Sequence, residues 1–222
     1  MNKVFIILLV CFAVSINLYA QQAEEDQLLH STPIPIQVTV GNQSTLYQMI
    51  FSKQFGNNNQ YTFFNLSEYE LSYESETPEN YLIQSIFFYN INQNFSLGTG
   101  ANLKAHGGFK PLIAGAYSFF NRNFDVVIQP SIELEKDGVG EVFVLLEWHP
   151  MKNKKVNPFV SIQGLTSYKA ENGNHDFSYA YLKIGAQLGS FIVGPAVNFS
   201  EAGKGLYSQS NVNVGGFLRI LI

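Results

Sequence analysis

From Tyr61 to Ile222 the chain repeats about ten segments of roughly 10 to 14 residues in which apolar and polar side chains alternate, separated by short Gly/Asn/Asp/Lys turns. In one of them Phe124, Val126, Ile128, Pro130, Ile132 and Leu134 share one parity, while Asp125, Gln129, Ser131, Glu133 and Glu135 share the other. A strand sends successive side chains to opposite faces, so such a segment offers one face to lipid and one to water. The last segment follows the same rule up to the final residue. Val212, Val214, Leu218, Ile220 and Ile222 lie on one face, and Asn211, Asn213 and Arg219 on the other. This rhythm predicts an all-β fold, an antiparallel transmembrane β-barrel.

No linker interrupts the rhythm, so residues 34–222 are expected to form one barrel domain. Residues 1–20 combine Lys3, an apolar run over 4–14 and a cut site after Ala20, as in a secretory signal peptide. Cys11 inside that run offers a lipobox alternative, with Val10 where a small residue is expected. The run is too short to span a membrane as a helix, and no other stretch of 18 apolar residues follows, so insertion must use strands. Residues 21–33, with Glu24, Glu25 and Asp26, read as a solvated, flexible tail. Cleavage after Ala20 leaves no cysteine, which fits export to an oxidising compartment without disulfides. It also leaves 12 of the 13 basic residues against 17 acidic ones, a net charge of −5 that argues against nucleic acid as a partner.

Twelve strands are expected, at 34–40, 45–55, 61–73, 80–91, 94–105, 109–119, 124–135, 139–149, 156–168, 175–188, 191–200 and 207–222. An even count suits a single-chain barrel with both termini on one side, and ten remains the alternative if 34–55 pack elsewhere. Tyr89, Phe95, Phe119, Phe124, Trp148 and Phe191 flank the turns on the side of the termini. Tyr73, Tyr81, Phe109, Tyr168, Phe177 and Tyr207 flank the opposite set. Two aromatic girdles are what two membrane interfaces select, and composition alone would equally suit a soluble sandwich. Within 80–91, Phe87 and Phe88 leave both faces apolar.

The inward set is rich in ionisable groups: Glu68, Glu70, Lys104, Lys110, Asp125, Glu133, Glu135, Glu141, Glu147, Lys183 and Arg219. Glu133, Glu141, Glu147, Lys183 and Arg219 are the lumen-lining candidates. They can balance one another inside a sealed barrel, line a passage that attracts cations or polar solutes, or form an acid/base pair. The inward Phe143, Phe159, Tyr179, Tyr181 and Phe217 could close such a passage. No catalytic residue is assigned. His30, His106, His149 and His175 lack metal-pair spacing, and no cofactor signature is present. Ser178 lies three residues after His175, which on a regular strand puts the two on opposite faces.

The layout resembles small outer-membrane barrels of the Bacteroidota type. Residues 36–40 and 46–51, then Tyr61-Thr62-Phe63-Phe64-Asn65-Leu66 leading into Glu68-Tyr69-Glu70, look like the opening hairpins of nucleoside-channel-like barrel families. The likeness covers about the first third of the chain and implies 12 strands around a narrow solute passage. The leading expectation is a non-enzymatic outer-membrane protein, a narrow porin-like channel for small polar solutes. The alternatives are a non-conducting accessory barrel of an envelope complex and, third, a barrel enzyme acting on lipid or peptide. Expected partners are outer-membrane lipid and a small polar solute, or an envelope protein complex.

Overall fold

A computed structural model of the chain describes residues 33–74, 80–105, 107–150, 155–203 and 209–222. The expected signal peptide and tail up to Thr32, His30, His106 and Tyr207 lie outside these residues. Twelve strands follow one another: β1 (Pro35–Gly41), β2 (Ser44–Phe55), β3 (Tyr61–Ser72), β4 (Asn80–Asn90), β5 (Phe95–Lys104), β6 (Gly108–Phe120), β7 (Phe124–Glu133), β8 (Val139–Trp148), β9 (Asn157–Lys169), β10 (His175–Leu188), β11 (Phe191–Ala202) and β12 (Gln209–Leu221). Each pairs antiparallel with its chain neighbours, and β1 pairs with β12 from Pro35↔Leu221 to Gly41↔Gly215, which closes the barrel. Residues 34–55 are therefore part of the wall, and the ten-strand alternative falls. Closure satisfies every strand edge, the condition for β-structure in a lipid interior.

Alternation sorts the side chains as the period of two requires. Outward residues such as Leu97, Ile113, Val144, Leu182, Ile184, Val193 and Val214 are exposed, whereas inward Gln84, Gln129, Gln163, Asn102 and Lys183 are almost wholly buried. A protein in water does the reverse, so the outer wall is built for lipid. Tyr89, Phe124, Trp148 and Phe191 stand exposed on the wall at the end that carries the termini. At the far end Tyr73, Phe109 and Tyr168 do the same. Phe177 departs from the expected girdle and packs inward against Tyr179, ring centroids 6.1 Å apart.

Phe177 shares the parity of the inward Tyr179 and Tyr181, and a β-bulge between His175 and Phe177, where the pairing of β10 with β9 slips from Tyr168 to Ser167, puts His175 on the outward side instead. A bulge inserts one residue into one strand and re-aims its neighbours. Phe87 and Phe88 are resolved by the same parity: Phe87 meets lipid, while Phe88 joins an apolar cluster inside the barrel. The β2–β3 turn is tight, with φ of 85°, 55° and 54° at Gly56, Asn58 and Asn59, residue types that tolerate the left-handed region.

Candidate functional site

The interior is divided into apolar and polar sectors. Phe64, Leu66, Ile86, Phe88, Leu112, Val127, Phe143 and Leu145 fill the half of the β3–β8 side nearer the termini. Phe64 and Phe143 meet across the lumen at 6.2 Å. A second cluster joins Leu46, Leu165, Tyr179 and Tyr181, and a third joins Phe159, Ile192, Ala196 and Phe217. Inward glycines make this filling achievable. A Cβ on Gly100 would collide with the Ser85 carbonyl, and one on Gly215 with the Val40 carbonyl, so the wall there admits no side chain.

Towards the far end, β5, β7 and β8 bring an ionic group together. Lys104 Nζ donates to Glu133 Oε1 at 2.7 Å and also to Glu141 Oε1. Asn102 Nδ2 donates to both carboxylates, at 3.3 and 3.1 Å, and the Val139 amide donates to Glu133 Oε2 at 3.1 Å. Below them Gln84 Nε2 donates to Asn102 Oδ1 at 2.9 Å, and Gln129 Nε2 donates to Gln84 Oε1 at 2.6 Å. Two carboxylates against one ammonium leave this end acidic.

A second network crosses the middle. Gln48 on β2 donates to Glu68 Oε1 at 2.5 Å and, across the lumen, to Gln163 Oε1 on β9 at 2.9 Å. Gln163 Nε2 donates to Glu68 Oε1 and the Tyr179 hydroxyl, both at 2.9 Å. Lys183 Nζ donates to Gln48 Oε1 at 2.9 Å and lies 5.4 Å from the centre of the Tyr181 ring. Towards the termini, Arg219 Nε donates to Gln37 Oε1 at 3.1 Å, and its Nη1 donates to Glu147 Oε1 at 2.8 Å. The guanidinium also sits over the Phe159 ring at 4.7 Å, a cation–π contact.

All five lumen candidates thus lie on the inner wall, four of them in two ionic groups. Glu133 and Glu141 share Lys104, and Glu147 pairs with Arg219. Lys183, expected to balance the glutamates, instead meets an amide. Beside it, Ser161 Oγ and both polar atoms of Asn198 are buried with no hydrogen-bond partner among the described residues. Sequence reasoning missed Gln37, Gln48 and Gln84. Their only signal was a shared parity with the inward charges. His149, at the end near the termini, places Nε2 2.8 Å from Asp125 Oδ2.

Side chains close the middle. Gln48, Gln84, Gln129, Gln163, Phe143, Phe159 and Lys183 are each 2% exposed or less, and together they come from β2, β4 and β7 to β10. The inward Phe143, Phe159, Tyr179, Tyr181 and Phe217 do narrow the lumen, and among the described residues only strand side chains make the closure. Next to it a cavity of about 50 Å³, lined by Gln37, Gln48, Ile50, Leu145, Glu147 and Arg219, has room for water.

No protein-family model matches the chain, and no curated protein matches it in sequence. Among solved structures it is similar to a NanC porin, 8% identical over 86% of this chain and 100% of that one, with a TM-score of 0.49. A KdgM porin is 10% identical over 85% and 98% of the two chains, with a TM-score of 0.45. LpxR from Salmonella typhimurium is 7% identical over 86% and 100%, with a TM-score of 0.44. These likenesses concern the fold alone.

Proposed function

We propose that the protein spans a bacterial outer membrane and forms a narrow passage for small polar solutes, held shut by side chains in the state described. The observation that carries this reading is the chemistry of the closure. Replacing buried ionic groups by well-packed apolar ones is often neutral or stabilising, so stability alone gives no reason to build the closure from Gln48, Gln163, Glu68 and Lys183. Amide and charged side chains on opposite walls can instead exchange their mutual hydrogen bonds for bonds to a passing solute. The unpartnered Ser161 and Asn198 groups offer further bonds on the same wall. The acidic group at Glu133 and Glu141 favours cations or neutral polar molecules at that mouth.

The test is single-channel recording of the folded protein in planar bilayers, with the double variant Gln48→Ala, Gln163→Ala alongside. Brief, small openings are expected from the wild type, and several-fold larger or longer ones from the variant. Correctly inserted protein that stays silent in both forms would overturn the passage. That outcome favours a second reading, a sealed accessory barrel of an envelope complex, which the filled middle of the lumen supports.

A further inference from the structure

On the lipid-facing wall, at the far end of β9 and β10, the bulge at His175 undoes the odd spacing that should separate His175 from Ser178. His175 Nε2 lies 2.8 Å from Ser178 Oγ, and His175 Nδ1 lies 2.8 Å from the Gly203 carbonyl oxygen. We propose that Ser178 and His175 are the nucleophile and base of an acyl-ester hydrolase that acts on ester-linked acyl chains of membrane lipids.

The hydrogen bonds fix the roles. A carbonyl oxygen only accepts, so the proton of the neutral imidazole resides on Nδ1, and Nε2 presents its lone pair to the serine hydroxyl. This is the tautomer a base needs, with the Gly203 carbonyl doing the orienting that a carboxylate does elsewhere. Ser178 Oγ donates to Thr166 Oγ1 at 2.8 Å, which holds the serine side chain in place, and rotation about the Cβ–Oγ bond turns that proton to Nε2 for the reaction. Tyr168 meets His175 edge-on at 5.6 Å and is exposed on the wall in the far aromatic girdle. The pair therefore stands where the ester linkages of lipids meet water.

The wall below is shaped for a chain. Next to the Thr166–Ser178 pair comes Gly164 opposite Ala180, then Ile162 opposite Leu182. A Cβ on Gly164 would find only the Tyr179 carbonyl, at 3.5 Å, an ordinary contact, so crowding does not demand glycine there. Gly164 and Ala180 leave a shallow trough between Val144 on β8 and Phe199 on β11, running from the hydroxyl towards lipid depth.

In the reaction Ser178 Oγ bonds to the ester carbonyl carbon while its proton passes to His175 Nε2. The bond to the alcohol oxygen breaks, and that proton leaves with the alcohol. Water then adds to the acyl-serine and gives a proton to Nε2. The carboxylic acid departs as Ser178 regains its proton.

The full chain, folded in mixed micelles of phosphatidylethanolamine, should release fatty acid and bind a fluorophosphonate probe covalently. Ser178→Ala should abolish both, and His175→Ala should slow release by about 10² to 10⁴-fold, each variant keeping the heat-modifiable migration of a folded barrel. Folded wild type that neither labels nor releases more fatty acid than Ser178→Ala overturns the proposal. Cleavage of soluble p-nitrophenyl butyrate without cleavage of the phospholipid overturns the lipid assignment.

Discussion

Replacing Lys104 by methionine tests directly how the interior is held together. The ammonium is the only cation in contact with the Glu133 and Glu141 carboxylates among the described residues, whose side chains are 4% exposed. Its loss leaves two like charges side by side, held by Asn102 and the Val139 amide alone. Removing one partner of a buried ion pair costs about 3 to 5 kcal/mol. The lysine side chain is itself 20% exposed near the mouth, so water can enter the vacated space, and the expected loss is reduced to about 2 to 3 kcal/mol. Trp148, the single tryptophan, stands on the outer wall and reports unfolding by its fluorescence in urea titrations from lipid-detergent micelles. The triple variant Lys104→Met, Glu133→Gln, Glu141→Gln keeps hydrogen-bonding groups without the charges and should return to within about 1 kcal/mol of wild type. A single variant within about 0.5 kcal/mol of wild type, or a triple variant as unstable as the single one, would refute the reasoning.

Outward Ile184→Arg should impair assembly by about 2 to 4 kcal/mol, whereas inward, partly exposed Gln187→Arg should leave heat-modifiable migration near normal; equal sensitivity would contradict the register. Gln163→Arg should fail as well, although it faces inward, because Gln163 is enclosed by Gln48, Glu68 and Tyr179. Gly215→Val should prevent closure of the β12–β1 seam, where a Cβ meets the Val40 carbonyl, and a folded, heat-modifiable variant would show the seam to be misplaced. Glu133→Gln with Glu141→Gln should lower the cation preference of any current in reversal-potential measurements; an unchanged preference would place the conduction path elsewhere.

Parity made most of the wall legible. The segment expected at 175–188 coincides with β10, and 124–135 overshoots β7 by two residues: the Leu134 amide still bonds to the Pro111 carbonyl of β6, but the Glu135 carbonyl already accepts from the Gly138 amide in the turn. The inward set followed from the same rule, because charge cannot face lipid. What parity cannot supply is the partner across the lumen. Strands six apart in the barrel order, β3 and β9, bring Glu68 and Gln163 together, and no local pattern couples residues 95 positions apart. Nor does alternation reveal its own exceptions. One extra residue at the start of β10 turned His175 outward and set it beside Ser178.

The two proposed activities occupy opposite faces of the same strands. On β9, Gln163 points into the lumen and Thr166 outward; on β10, Lys183 points inward and Ser178 outward. A strand transmits little from one face to the other when a side chain is trimmed without disturbing the backbone ladder, since the ladder bonds are backbone bonds. Ser178→Ala removes a hydroxyl from the outer wall and touches none of the partners of Gln48. Gln48→Ala removes the group that binds Gln37, Glu68, Gln163 and Lys183, and touches nothing around His175. Conductance and ester hydrolysis should therefore respond to separate sets of variants. A Ser178→Ala protein with altered conductance would mean that the bulge, rather than the lumen network, couples the two faces.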